Sequence, residues 1–160
     1  MSSGVKKTNA IRMLDSAKIP YEVRTYEFEE TDLAGVHAAD AVGMPYETVF
    51  KTLVARGDKT GFVVFCIPVA EELDLKKAAR ASKNKSVELL HVKDLLPTTG
   101  YIRGGCSPVG MKKEFPTYID ETAMLFDAIA VSGGMRGVQL IVNPDQLLGF
   151  VKGEYVDLTA

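Results

Sequence analysis

The spacing of apolar side chains predicts short helices and strands in the first part of the chain. Residues 10–17 place their Ala, Ile, Met and Leu side chains on one helical face, after a cap at Thr8 or Asn9. Residues 21–28 alternate apolar or aromatic side chains with polar ones, which is the period of a strand with one buried face. Residues 35–43 then form a short helix that a glycine closes.

The centre of the chain predicts a β-hairpin followed by a helix. Residues 49–56 and 61–69 are rich in β-branched and aromatic side chains, and the sequence Gly-Asp-Lys-Thr separates them at residues 57–60. Asp74 is placed to cap a helix that continues to about Ser82. A hairpin and a helix are therefore expected here.

The second half of the chain adds further strands and few helices. The predicted elements are strands at residues 86–90, 117–120, 128–132 and 138–142, a helix at 92–96 that Pro97 stops, a helix from Pro144 and a last strand near Tyr155. Because helices do not regularly separate the strands, a doubly wound parallel sheet is not expected. The sequence predicts a single compact α+β domain over residues 1–160, with a mixed sheet flanked by helices and a flexible N-terminal segment at residues 1–7.

Composition and charge narrow the class of protein. Hydrophobic residues make up 46% and charged residues 25% of the 160 residues, which is the usage of one ordinary globular domain. The formal net charge of −2 argues against a uniform positive field that would bind nucleic acid indiscriminately, and no DNA partner is expected. Neither a signal peptide nor a run of about 18 apolar residues is found, so we expect a cytoplasmic protein without a membrane partner.

The two histidines of the chain offer little catalytic chemistry. His37 and His91 belong to no cluster with metal-ligand spacing, so neither a metal nor another cofactor is expected. His37 lies three residues before Asp40 on a predicted helix. This pair is either a base oriented by a carboxylate or a surface polar pair.

Residues 104–110 read Gly-Gly-Cys-Ser-Pro-Val-Gly and combine a thiol with flexible backbone. Because Lys112 and Lys113 lie nearby in sequence, Cys106 is either a nucleophile with a stabilised thiolate or a small, half-buried residue of a turn. A second glycine-rich stretch follows at residues 132–137. In both stretches the backbone N–H groups either hold an anion or a carbonyl oxygen or belong to simple turns.

Basic side chains supply further candidates. Lys51 interrupts the apolar strand at residues 49–54, where it either points to solvent or serves as a positioned partner of a phosphate or a carbonyl oxygen. A basic stretch on and after the predicted central helix is either a solvated face or a contact surface. Its members are Lys76, Lys77, Arg80, Lys83 and Lys85.

Taken together, these pieces resemble the YbaK-like family of bacterial aminoacyl-tRNA deacylases, which is related to the editing domain of bacterial prolyl-tRNA synthetases. The resemblance runs nearly end to end. It is carried by residues 25–26, 49–53, 68–70, 73–77, 99–101, 104–110, 112–113, 116–117, 119–120 and 131–134. It implies a mixed, barrel-like sheet and a cleft for the aminoacylated 3′ end of tRNA.

The resemblance also implies roles for individual residues. Lys51 corresponds to the family's strand lysine, which is needed for activity. The side chains and loop positions implied to bind substrate are Tyr26, Thr52, Gly104, Gly105, Cys106, Ser107, Pro108, Gly110, Ser132, Gly133 and Gly134. The residues expected to contact tRNA are Lys76, Lys77, Arg80, Lys112 and Lys113. Relatives often have an aliphatic residue in place of Cys106 and an acidic or other polar residue in place of Gln139.

The activity that the resemblance implies is the removal of a wrong amino acid from tRNA, with Cys-tRNA(Pro) as the expected substrate and prolyl-tRNA synthetase as a partner. A cysteinyl ester carries its own nucleophile, so the substrate thiol is expected to attack the ester carbonyl. Three alternatives stay open. They are a deacylase for another small residue such as Ala-tRNA(Pro), a non-catalytic module that binds tRNA or a nucleotide, and an enzyme that uses Cys106.

Overall fold

A computed structural model describes residues 7–160, and in this range it contains five α-helices and eight β-strands. The helices are α1 Asn9–Ser16, α2 Gly35–Val42, α3 Leu75–Ala81, α4 Val92–Thr99 and α5 Pro144–Val151. The strands are β1 Glu22–Thr25, β2 Phe50–Gly57, β3 Gly61–Pro68, β4 Val87–Leu89, β5 Thr117–Asp120, β6 Ile129–Ser132, β7 Val138–Val142 and β8 Glu154–Val156. The predicted flexible segment lies outside the described residues, except for Lys7. No helix of the described range combines the length and apolar content needed to cross a membrane.

The strands form two sheets, which together contain both parallel and antiparallel pairs. With the five described helices, this arrangement confirms the predicted α+β class with mixed pairing. The five-stranded sheet has the order β4-β2-β3-β5-β8, in which β3, β5 and β8 run parallel and the other pairs are antiparallel. The three-stranded sheet has the order β1-β7-β6 and is antiparallel. An isolated parallel bridge between Val49 and Ala130 connects the two sheets.

The predicted hairpin forms the centre of the larger sheet, and its two faces pack against different clusters. Phe50 and Val54 lie in the larger core, which also contains the apolar face of α1. Ala55 and Phe65 face the other way and are covered by α3 through residues such as Ala78. The alternation of β2 and β3 therefore gives two buried faces, because each face has its own helix.

The prediction that Pro97 ends the fourth helix is wrong, because α4 continues to Thr99. A proline inside a helix removes one backbone N–H donor. Near the end of a helix this loss affects only one hydrogen bond, and other groups can satisfy the last carbonyls. Here the Thr99 hydroxyl donates to the Leu95 carbonyl at 2.8 Å, and the Gly100 N–H donates to the Leu96 carbonyl at 2.9 Å. Gly100 then ends the helix with a φ of 88°, which favours glycine.

Candidate functional site

A cleft of about 420 Å³ opens where the two sheets separate. Next to the Val49–Ala130 bridge, β2 and β6 no longer pair, and residues 49–54 together with Ser132 line the space between them. The segment at residues 33–36, which leads into α2, forms one wall. The other wall comes from the β4–α4 connection and the loop that follows α4. The cleft is therefore a consequence of the incomplete pairing of two strands.

Six of the predicted site residues line this cleft. They are Lys51, Tyr26, Thr52, Gly104, Cys106 and Ser132. They come from β2, from the residue after β1, from the glycine-rich loop and from the end of β6. The fold therefore brings together residues that are up to 106 positions apart in the sequence (Tyr26 to Ser132).

The remaining loop residues predicted to bind substrate do not line the cleft. They are Gly105, Ser107, Pro108, Gly110, Gly133 and Gly134. A Cβ atom on Gly105 would lie 3.0 Å from the backbone of Met135, so the two glycine-rich stretches pack directly on each other. The Gly105 N–H also donates to the Ile102 carbonyl at 2.9 Å. Gly105 therefore serves the close approach of the two loops, and its amide is not free for a substrate.

Lys51 is half-buried in the cleft, and this burial changes how readily its ammonium loses a proton. The loss of solvent lowers the pKa of the Lys51 ammonium below its ordinary value of 10.5, while the charges of Glu71 and Glu72 partly oppose this shift. Neither an ion pair nor a side-chain hydrogen bond to Lys51 is found among residues 7–160. The ammonium therefore keeps its donors for a molecule that enters the cleft.

Cys106 is buried as an uncharged thiol. Burial raises its pKa to about 12, although an interaction with Thr99 acts in the opposite direction. Cys66, which packs behind Thr52 with 3.8 Å between its Sγ and the Thr52 Oγ1, also has its pKa raised to about 12 by burial. A thiolate is the nucleophilic form of cysteine, so this environment does not activate Cys106.

The expected pair of His37 and Asp40 does not form. The His37 Nδ1 lies 3.3 Å from the Asp32 Oδ2, whereas the Asp40 carboxylate accepts a hydrogen bond from Tyr46 at 2.7 Å. One helical turn separates His37 and Asp40, but Asp32 reaches His37 from the preceding loop. Neither histidine lines the cleft in the part of the chain that the structure describes.

Gln139 lines the cleft and was missed as a site residue. It is 6% exposed, and its Oε1 is a buried acceptor without a hydrogen-bond partner among the described residues. It lies opposite Ser132 in the β6–β7 ladder. The sequence contained one signal for this residue, which is that Gln139 is the single amide in the apolar strand at residues 138–142. A buried polar group normally has a hydrogen-bond partner, so an amide at such a position calls for one.

The basic residues that were expected to contact tRNA lie outside the cleft lining. They are Lys76, Lys77, Arg80, Lys112 and Lys113. Lys77 is already engaged, since its Nζ lies 2.9 Å from Asp157 and 2.7 Å from the Thr159 carbonyl. Arg103, which sequence reasoning missed, is the cation that joins Lys51 in the lining, and the described lining contains no carboxylate. The cleft is therefore positive within a chain whose net charge is −2.

Comparisons with known proteins show which family and which fold this chain is similar to. A model of the aminoacyl-tRNA editing domain matches residues 30–150. The chain is 50% identical over 154 residues to EbsC of Enterococcus faecalis, which is described as a proposed Cys-tRNA(Pro)/Cys-tRNA(Cys) deacylase; the match covers 96% of this chain and 94% of EbsC. Two solved structures share the fold. One is a proposed trans-editing enzyme for prolyl tRNA synthetase (24% identity, TM-score 0.80, 98% and 99% coverage), and the other is the hypothetical protein APE2540 (17%, 0.86, 96% and 100%).

Proposed function

The chain belongs to the aminoacyl-tRNA editing domain family, and from this premise we propose that it hydrolyses the ester bond of misacylated tRNA, with Cys-tRNA as its substrate. The family that the motifs predicted is thereby confirmed. Support for the substrate comes from EbsC, half of whose aligned residues are identical and whose description names Cys-tRNA(Pro) and Cys-tRNA(Cys).

One observation carries the proposal for this cleft. A free ammonium at Lys51 and an unpaired carbonyl at Gln139 lie in the same cleft, without a carboxylate, a histidine or an activated thiol among the described lining residues. The cleft has the size of a small-molecule site, sufficient for an aminoacyl group and the sugar that carries it. Its residues can position and polarise a substrate, but they do not supply a strong nucleophile or base.

A cysteinyl ester supplies the missing nucleophile. Its thiolate attacks the ester carbonyl carbon, and the resulting tetrahedral intermediate collapses with cleavage of the bond between that carbon and the ribose oxygen. The ribose oxygen takes a proton and tRNA leaves, while the amino acid remains as a thiolactone. Water then opens the thiolactone, giving a carboxylate and restoring the thiol. The protein contributes orientation and charge stabilisation.

Within this mechanism the cleft residues have distinct tasks. The Lys51 ammonium stabilises the negative charge that develops on the carbonyl oxygen, because a half-buried cation acts more strongly than a solvated one. The Gln139 Oε1 accepts a hydrogen bond from the α-amino group of the substrate, which gives this buried acceptor the partner that it lacks among the described residues. Thr52 and Ser132 line the remaining space around the aminoacyl group.

The test is single-turnover deacylation of tRNA carrying cysteine, serine, alanine or proline. The expected result is fast hydrolysis of the cysteinyl ester and slow hydrolysis of the seryl ester, because a hydroxyl is a much weaker nucleophile than a thiol. Equal rates for cysteine and serine would contradict the substrate-thiol mechanism, and preferred hydrolysis of alanyl-tRNA would redirect the proposal to that ester.

Three variants separate the possible roles within the protein. Lys51→Ala is expected to lose most of the activity on Cys-tRNA, whereas Cys106→Ala keeps it, since the Cys106 thiol is not activated. Lys59→Gln removes an exposed cation at the tip of the β2–β3 hairpin, away from the cleft, and serves as the matched control. Loss of activity in Cys106→Ala would favour a cysteine nucleophile of the enzyme.

Prolyl-tRNA synthetase is proposed as the partner of this domain. Support comes from the fold shared with a protein described as acting in trans for that synthetase. The net charge of −2 also indicates weak binding of tRNA by the domain alone, because phosphate contacts dominate such affinity. The synthetase would hold the tRNA while its 3′ end enters the cleft.

A further inference from the structure

We infer that the mouth of the cleft, between Arg103 and the N-terminus of α2, is a subsite for the phosphate that precedes the aminoacylated nucleoside. This inference rests on the proposed function, because it places one group of the tRNA end in the cleft. It assigns a site to Arg103 and to the residues before α2, none of which the sequence motifs singled out.

Arg103 is the exposed cation of the cleft lining. Its backbone is fixed, since its carbonyl accepts a hydrogen bond from the Arg136 Nε at 2.8 Å. Its guanidinium has neither an ion-pair nor a hydrogen-bond partner among residues 7–160. Five donors on a planar fork suit the oxygens of a phosphate, so a fixed backbone here presents an unused phosphate-binding group.

The N-terminus of α2 adds backbone donors to the same cleft. Ala34 is the N-cap residue and provides no side-chain hydrogen bond to the helix, and both Ala34 and Gly35 line the cleft. The Ala34 carbonyl, the first acceptor in this helix, takes bonds from His37 and Ala38, which leaves the earlier N–H groups of the first turn without a backbone acceptor among residues 7–160. A helix N-terminus with uncapped amides favours an anion.

The two parts of the subsite belong to segments that lie next to each other. A Cβ atom on Gly104, the residue after Arg103, would lie 3.2 Å from the Leu33 side chain, which directly precedes Ala34. Cation and helix terminus are thus in neighbouring segments. The Gln139 Oε1 has no partner within the described chain and, as an acceptor, indicates that a hydrogen-bond donor of a ligand enters the same cleft, deeper than the phosphate.

Burial gives the bound tRNA end a direction. Arg103 is exposed, whereas Lys51 is half-buried and Gln139 is almost fully buried. The phosphate therefore lies at the mouth and the aminoacyl group lies inside. In this arrangement Arg103 binds the phosphate, so Lys51 remains available to contact the ester carbonyl.

The experiment compares two small substrates that differ by one phosphate. The cysteinyl ester of adenosine lacks it, and the cysteinyl ester of adenosine 5′-methyl phosphate carries it as a singly charged diester. For Arg103→Gln we expect kcat/KM on the phosphate-bearing ester to fall about 10- to 100-fold, the value of a hydrogen bond to a charged group. On the phosphate-free ester kcat/KM should stay within about twofold. Lys59→Gln is the control and should change neither value.

A second variant tests the other half of the subsite, which is the N-terminus of α2. Ala34→Asp adds a carboxylate that caps the free amides of α2 and repels an anion. It is expected to raise the melting temperature while lowering kcat/KM on the phosphate-bearing ester alone, because a cap stabilises a helix. A variant that merely disturbed the fold would lower both quantities.

Each other outcome decides against one of the two proposals. Where wild type hydrolyses Cys-tRNA but neither small ester, an unchanged kcat/KM of Arg103→Gln on Cys-tRNA contradicts the phosphate subsite. If wild type hydrolyses both small esters equally well, or if Arg103→Gln slows both to the same extent, the phosphate subsite is wrong while the deacylase activity stands. If wild type hydrolyses neither small ester nor Cys-tRNA, the proposed function itself fails.

Discussion

Two side chains of the cleft, Cys106 and Gln139, show what burial does at the scale of single residues. Burial keeps the Cys106 thiol protonated, since its pKa rises to about 12, and so makes it less reactive. Burial makes the Gln139 Oε1 more ready to interact, because this desolvated acceptor has no partner among the described residues and gains from any hydrogen-bond donor that a ligand brings. The more conspicuous residue in the sequence is therefore the less useful one in the site.

Replacement of Gln139 by leucine should change stability and activity in opposite directions. Gln139→Leu removes a buried acceptor that has no partner in the described chain, so we expect the free energy of unfolding to rise by about 1 kcal/mol. The same change removes the acceptor proposed for the α-amino group, and kcat/KM on Cys-tRNA should fall about tenfold. Denaturant unfolding and single-turnover assays measure the two quantities. A loss of both would indicate a structural role for the amide.

The ionisation of Lys51 should be visible in the pH dependence of the reaction. Its pKa is lowered by burial, so the ammonium loses its proton at a lower pH than an ordinary lysine with a pKa of 10.5. If the ammonium is the active form, kcat/KM decreases along an alkaline limb below that pH. In Lys51→Arg the charge persists, and the limb should move to higher pH. An unchanged limb in this variant would assign the ionisation to another group.

The sequence predicted six residues of the cleft but not Gln139, Arg103 or the segment before α2. Lys51 could be predicted from the sequence because a charged residue in an apolar strand is conspicuous. The glycine pairs could be predicted because adjacent glycines indicate a backbone conformation or a close approach that other residues do not allow. Gln139 interrupts an apolar strand, but a single amide there does not by itself indicate a ligand site, and Arg103 looks like an ordinary polar residue in sequence. Only in the folded chain, where distant segments meet around the cleft, does Gln139 become a buried acceptor without a partner among the described residues and Arg103 a cation of the cleft lining.

At the scale of elements, local patterns predicted most helices and strands, and distant contacts decided the rest. Hydrophobic period and capping residues suffice for the β2–β3 hairpin and for α3, because their determinants lie within the element. The parallel pairing of β3 with β5 and the extension of α4 past Pro97 have no such local signal. Both depend on partners elsewhere, as the Thr99 hydroxyl shows at the end of α4.

The turn of the hairpin gives a prediction about such a distant partner. Asn84 follows α3 and is 8% exposed; its Oδ1 accepts from the Lys59 and Thr60 amides at 2.9 and 3.0 Å. Asn84→Ala leaves these amides without that acceptor, so the free energy of unfolding should fall by about 2 kcal/mol. Asn84→Asp keeps an acceptor and should lie between the two proteins. Denaturant unfolding checks the order, and a stability equal to wild type in Asn84→Ala would contradict it.

At the scale of the whole molecule, the net charge of the chain and the charge of the described cleft lining have opposite signs. The chain has 19 Lys and Arg against 21 Asp and Glu, whereas the described cleft lining has two cations and no carboxylate. A protein of this kind is expected to hold the tRNA end rather than the tRNA body. Selection among tRNAs then has to come from elsewhere, because the end of every tRNA has the same chemistry.

This distribution predicts how the domain treats different tRNAs. Alone, it should deacylate Cys-tRNA(Pro) and Cys-tRNA(Cys) with kcat/KM values within about threefold, and kcat/KM should fall with salt concentration with a logarithmic slope no steeper than about −2, since few phosphates are contacted. If prolyl-tRNA synthetase is the partner, as proposed, its addition should raise the preference for tRNA(Pro), because the synthetase contacts the body of its own tRNA. The control is a synthetase that charges another tRNA. Strong discrimination by the domain alone, together with a steep salt dependence, would place a tRNA-binding surface outside the cleft, with Lys76 and Arg80 of α3 as its first candidates.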